Sequence, residues 1–188
     1  MVVCVFGASG AEIDKVYVEQ TELLGEKLAK RGHSLIFGGG KLGLMGAAAR
    51  GFRKGGGHIK GVIPTFFRDY DVIYDCDEFE WTETMRDRKK YMEDNSDAFI
   101  ITPGGIGTYE EFLEVLTLKQ LARLSKPIVV FNVNGFFDKL LSVIDDNVRD
   151  GFIRPQTPEL FKVTDSIDEV INIVETDSYD IKKIKFYD

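Results

Sequence analysis

Ala98-Phe-Ile-Ile-Thr-Pro-Gly-Gly-Ile-Gly-Thr-Tyr-Glu-Glu111 is the stretch whose reading decides the fold. Its first four residues are an apolar run of strand length, and Tyr109, Phe112, Leu113 and Leu116 then recur at helical spacing. Between them Gly104, Gly105 and Gly107 let the backbone turn sharply and come close to a ligand. The first free N–H groups of the helix carry partial positive charge, so the turn predicts an anion site. Glu110 and Glu111 stand beside it, in what the sequence predicts to be the first helical turn. A loop that only held phosphate would not need two carboxylates there. The plainer explanation is that any strand-to-helix turn uses glycine and that acidic residues suit any helix start. A second glycine cluster and a cationic segment just upstream weigh against it.

Working outward, apolar runs at Val2–Phe6, Ser34–Phe37, His58–Ile63, Ala98–Ile101 and Pro127–Phe131 alternate with helical patterns near 14–31, 43–54, 83–95, 108–124 and 136–149. A short strand near Leu160–Val163 and a helix at Ile167–Val174 follow. Such alternation predicts an α/β fold, a Rossmann-like, doubly wound parallel sheet sandwiched by helices. Ligands of that architecture bind beyond the carboxyl ends of the strands. Gly7 and Gly10, Gly38 to Gly40, and Gly104 with Gly105 fall at those ends. One nucleotide-binding domain over 1–175 is expected, with 176–188 as a charged tail to which no chemistry is assigned; its Lys182, Lys183, Lys185, Phe186 and Tyr187 read as a solvated terminus.

The 188 residues suffice for a sizeable core, burying about 70% of the surface that the unfolded chain would expose. Hydrophobic residues at 44% and charged residues at 29% suit a globular domain, and no apolar run nears bilayer-spanning length. No membrane association is expected. The opening Met-Val-Val-Cys-Val-Phe reads as a first strand and not as a signal peptide, which makes the cytoplasm the expected location. Cys4, Cys76, His33 and His58 have no metal-ligand spacing, so no metal is expected. A net charge of −7 argues against a nucleic-acid polymer, whose affinity comes from neutralising many phosphates.

Gly38-Gly-Gly-Lys-Leu-Gly43 satisfies a dinucleotide-type glycine pattern, but no acidic residue ends the next strand, where Gly61-Val-Ile-Pro-Thr65 stands. Nor does Lys41 make a Walker loop, since no Ser or Thr follows it. In Glu83-Thr-Met-Arg-Asp-Arg-Lys-Lys-Tyr-Met92, Met85, Arg88, Lys89 and Met92 share one helical face. Two cations beside two methionines suit a pocket in which guanidinium grips phosphate or ribose oxygens and a thioether packs a flat base.

The segments Met85–Met92 and Pro103–Glu111 together resemble the LONELY GUY family of cytokinin riboside 5'-monophosphate phosphoribohydrolases, long mislabelled lysine decarboxylases. Gly38-Gly-Gly-Lys-Leu-Gly-Leu-Met-Gly46 looks like its second glycine motif, Gly61–Pro64 like its third strand, and Lys126–Gly135 with Gly151–Ile153 like its C-terminal half. The resemblance implies that Arg88 and Glu111 are the catalytic pair and that Gly105, Gly107 and Thr108 bind phosphate. With the residues read above, the candidate substrate-binding set is Ser9, Gly39, Gly40, Met85, Lys89, Gly104, Gly105, Gly107 and Thr108. The first loop departs from the family's Gly-Ser-Ser: Ala8-Ser9-Gly10 keeps only Ser9.

The implied reaction is hydrolysis of the N-glycosidic bond of purine nucleoside 5'-monophosphates, with adenine or N6-modified adenine as base, to free base and ribose 5-phosphate. Neither metal nor cofactor is expected for it, and a homodimer is implied mainly by the resemblance. The alternative is a non-catalytic nucleotide or cofactor carrier on the same fold, which could dispense with Arg88 or Glu111. Decarboxylation would need a lysine Schiff base to pyridoxal phosphate, and no lysine stands in a matched context.

Overall fold

The structure, a computed structural model, describes residues 1–177. The tail residues Lys182, Lys183, Lys185, Phe186 and Tyr187 lie outside that range. The strands are β1 (Val2–Phe6), β2 (Ser34–Phe37), β3 (Ile59–Pro64), β4 (Glu78–Thr82), β5 (Ala98–Ile101), β6 (Ile128–Phe131) and β7 (Lys162–Thr164). They form one sheet in the order β4-β3-β2-β1-β5-β6-β7, and every pairing is parallel. The helices are α1 (Lys15–Lys30), α2 (Gly43–Lys54), α3 (Met85–Asp94), α4 (Ile106–Gln120), α5 (Asp138–Arg149) and α6 (Ile167–Thr176). The doubly wound α/β sandwich expected from the alternation is the fold observed.

Each strand feeds two cores because successive side chains point to opposite faces. Val3, Val5, Leu35, Phe37, Ile100 and Val129 pack under α1, α2 and α6. Cys4, Phe6, Ile36, Phe99, Ile101 and Val130 pack on the other side with Met92, Phe112, Val115 and Ile144 from α3, α4 and α5. Burial on both faces explains why β5 and β6 read as unbroken apolar runs.

Three elements differ from the sequence reading. β4 was not anticipated: Glu-Phe-Glu-Trp-Thr has no apolar run, because this edge strand pairs only with β3 and leaves most of its side chains at least partly exposed. β7 starts two residues later than expected and ends one later. α6 runs to Thr176, past the Val174 expected, and its Glu175 accepts a hydrogen bond from Arg31 Nε at 2.6 Å and pairs with His33 Nε2 at 2.9 Å. These contacts fasten the end of α6 to the α1–β2 turn. Among the described residues no helix is long and apolar enough to cross a membrane.

The strand order also locates the ligand crevice. From β1 the chain winds outward to β4, then returns to place β5 on the other side of β1 and winds outward to β7. At this reversal the connections leave β1 and β5 toward opposite faces, opening a gap at their carboxyl ends.

Candidate active site

The β1 and β5 loops are laced across that gap. Ala8 N–H donates to the Pro103 carbonyl at 3.1 Å, and the Ala8 carbonyl accepts from Leu44 and Met45 N–H at 2.8 and 3.2 Å. Helix α4 then starts on Gly105 as N-cap with no side chain capping its first turn. A Cβ at Gly105 or Gly107 would meet nothing within 4 Å, so the amide end of α4 faces open space. Gly104 has a different task. A Cβ there would lie 2.1 Å from Thr108 Oγ1, so its bareness lets the buried Thr108 fold back against the turn.

Arg88 comes from the far side of the crevice. A reciprocal capping box between Thr84 and Asp87 starts α3, and one turn in, Arg88 points beneath the β2 loop. Its Nε donates to the Val62 carbonyl at 3.2 Å and its Nη1 to Glu111 Oε1 at 3.1 Å. Gly38 makes this position possible, since a Cβ there would stand 1.7 Å from Arg88 Nη2. Arg88 and Glu111 are 7% and 9% exposed, a buried pair at the edge of an open cleft.

Burial pushes the Glu111 carboxyl up to about 7, against the opposing pull of the Arg88 charge and hydrogen bond; the neighbouring Glu110 charge adds to the rise. The carboxyl thus departs from the general rule that acidic residues suit a helix start. Helix α4 begins at Ile106, so Glu111 lies in the second turn, where the helix dipole has faded and desolvation dominates.

The cleft encloses about 580 Å³, within the usual range for a small-molecule site. Of the candidate site residues, Ser9, Gly39, Gly40, Met85, Arg88, Gly105, Gly107, Thr108 and Glu111 line it, and so do Glu110 and the strand-end glycines Gly7, Gly10 and Gly38. Gly104 supports Thr108 from behind and is not part of the lining. Lys89 is not there either: its ammonium pairs with Glu110 and, at 2.7 Å, with Glu114. It shares a helical face with Arg88, but α4 supplies carboxylates that hold it outside the cleft.

The sequence reading missed the apolar wall made by Met45, Ile63, Phe67, Val72 and Ile73. The segment after β3 folds back along the β2 loop: Tyr74 N–H donates to the Gly39 carbonyl and Lys41 N–H to the Val72 carbonyl, each at 2.8 Å. Arg68 stacks on the Trp81 ring of β4, 4.6 Å from its centroid. The adjacent Phe66-Phe67 in a polar loop was the available signal, since paired aromatics there have no core to enter.

Cleft and crevice define a Rossmann-like protein with an open, uncapped helix start and a buried arginine–glutamate pair. The chain belongs to the LONELY GUY family. Residues 45–174 match the family model described as "Possible lysine decarboxylase". A relative from Oryza sativa subsp. japonica, named probable cytokinin riboside 5'-monophosphate phosphoribohydrolase, is 42% identical over 85% of this chain and 70% of its own length. An Arabidopsis thaliana relative, named cytokinin riboside 5'-monophosphate phosphoribohydrolase, is 36% identical over 92% of this chain and 76% of its own. Among solved structures, a molybdenum cofactor carrier protein of Chlamydomonas reinhardtii superposes with a TM-score of 0.70 at 22% identity, covering 93% of this chain and 95% of that one. A molybdenum cofactor binding protein of Rippkaea orientalis gives 0.71 at 20%, with the same coverage. These two likenesses establish the shared fold.

Proposed function

We propose that this protein hydrolyses the N-glycosidic bond of adenine or N6-modified adenine nucleoside 5'-monophosphates, releasing the base and ribose 5-phosphate. The observation that carries this reading is the buried Arg88–Glu111 pair beside the open start of α4. The 5'-phosphate binds the amides of Gly105 and Gly107 and the Thr108 hydroxyl. Glu111 faces the anomeric carbon, where its carboxylate stabilises the positive charge that builds on the sugar as the base departs, or takes a proton from the incoming water. Arg88 restrains Glu111 and holds sugar or phosphate oxygens. Binding energy from the phosphate is thereby converted into orientation at the reacting carbon. The base rests on the apolar wall around Met45 and Phe67.

Homology of 34 to 42% to relatives named as phosphoribohydrolases supports the same reaction. A carrier would leave the Arg88–Glu111 pair without a task. Among the described residues no lysine lines the cleft, so pyridoxal-type decarboxylation has no Schiff-base donor there. AMP serves as a substrate in a cytoplasmic setting, and the working unit is a homodimer.

Incubation of the purified protein with nucleoside monophosphates, followed by analysis for free base and ribose 5-phosphate, tests this directly. Multiple turnovers of AMP, with adenosine a poor substrate, are expected. Carbon dioxide release from lysine with added pyridoxal phosphate, and no base from any monophosphate, would overturn the reading.

A further inference from the structure

We propose that Lys89 is a positioning residue for Glu111: it pairs with the neighbouring carboxylate Glu110 at the cleft wall, so that a fixed cation offsets that charge beside Glu111. This rests on the hydrolase reading for its consequence in catalysis, but its geometry stands apart from it. Arg88 and Lys89 are consecutive on α3, and Glu110 and Glu111 are consecutive on α4. The two helices are therefore joined by two rungs, Arg88 to Glu111 and, beside it, Lys89 to Glu110 at the cleft wall and to Glu114 beyond it. The lysine side chain is only 11% exposed, whereas Glu110 is 54% exposed, so the buried member fixes the position of the open one. Without Lys89, Glu110 would be an uncompensated anion next to the buried Glu111.

The charges that face Glu111 are Arg88 and Lys89 from α3, which favour its ionised form, and Glu110 on its own helix, which opposes it. From the sheet the Cys4 thiol of β1 faces it, and burial keeps that thiol neutral. Around Lys89 itself stand Glu114 and the half-buried Glu93, whose carboxyl is raised by burial and by Glu114. Removing Lys89 deletes a stabilising cation and frees an opposing anion, so both effects push the Glu111 carboxyl upward. Removing the Glu110 charge does the reverse.

The test follows the Glu111 carboxyl directly, by carbon NMR of protein labelled at glutamate with the resonance assigned through Glu111→Gln, together with kcat/KM for AMP against pH. In Lys89→Met the Glu111 titration and the rising limb of activity move up by about half a pH unit or more, with the KM for AMP within about twofold of wild type. In Glu110→Gln both move down, and adding Glu110→Gln to Lys89→Met reverses the upward shift. Glu110 is largely exposed, so its variant folds and keeps the test decisive even if Lys89→Met does not fold. An unmoved Glu111 titration in Glu110→Gln, or in a folded Lys89→Met, overturns the proposal. So does a rise of roughly tenfold or more in the AMP KM of Lys89→Met, the loss expected when a direct phosphate ligand is removed. Should the wild type release no base from any monophosphate, the hydrolase reading fails, and the NMR titrations still decide the role of Lys89.

Discussion

At the scale of single residues, the site turns on a carboxylate that the fold makes costly to ionise. Glu111 titrates near 7 when folded against 4.5 as an ordinary side chain, so between those values the folded protein keeps a proton that the unfolded chain gives up. Its contribution to stability is full below about 4.5 and is lost as pH rises through about 7. The stability of Glu111→Gln relative to wild type should therefore improve between pH 5 and pH 8, as paired denaturant titrations would register. Activity runs the other way. If the ionised carboxylate stabilises the charge on the sugar, kcat/KM for AMP rises through pH 7, and Glu111→Gln keeps AMP binding while losing on the order of 10² or more in turnover. A fully active Glu111→Gln protein would remove this mechanism and promote the carrier reading. Gly38 offers an independent probe, because the atom that a new Cβ would strike is the far end of the Arg88 side chain and not backbone. Gly38→Ala should thus lower turnover about as far as Arg88→Ala does, with a melting temperature that falls no further than in Arg88→Ala. Equal turnover to wild type would mean that the guanidinium position is unimportant.

At the scale of elements, the proposed reaction makes the start of α4 the part expected to discriminate nucleotide from nucleoside. Its N-cap is a glycine without a side-chain acceptor, and Thr108 sits at the third helical position with its hydroxyl turned back over Gly104. Thr108→Val keeps the shape and removes the hydroxyl that the proposed function assigns to the phosphate. The KM for AMP should rise roughly tenfold, the value of one charge-assisted hydrogen bond, while the weak hydrolysis of adenosine stays as it was. Comparable losses on both substrates would place the threonine elsewhere in the mechanism. This element was legible in sequence because its signals are local: an apolar run, a glycine turn and helical spacing, all between Ala98 and Leu116. The elements that were not legible depend on distant partners. β4 is a strand because β3 lies beside it and not because Glu78 to Thr82 are apolar. The apolar wall exists because Ile73 bridges to Gly40, far back along the chain. Lys89 shares a face with Arg88, which suggested a common ligand; only the packing of α4 against α3 shows that Glu110 and Glu114 claim it.

At the scale of the whole molecule, the fold does not choose between hydrolase and carrier, since proteins named for molybdenum cofactor share it at TM-scores near 0.7. What the molecule adds is surface. Helix α4 buries Phe112, Val115 and Leu116 in the core, yet leaves Ile106 83% exposed and Leu113 42% exposed. These two lie about two turns apart, on one side of the helix. Ile106 also lines the cleft, so whatever covers this stripe reaches the mouth of the site. A second copy of the chain is the occupant that the homodimer reading requires, and a two-fold contact would bring the same helix from both subunits together. Light scattering at micromolar concentration should give twice the 21.2 kDa chain mass. Leu113→Asp, at a residue outside the cleft lining, should return the monomer mass and lower kcat/KM if the contact shapes the mouth of the site. A monomer mass for the wild type would refute the dimer. A Leu113→Asp protein that stays dimeric would move the interface away from α4.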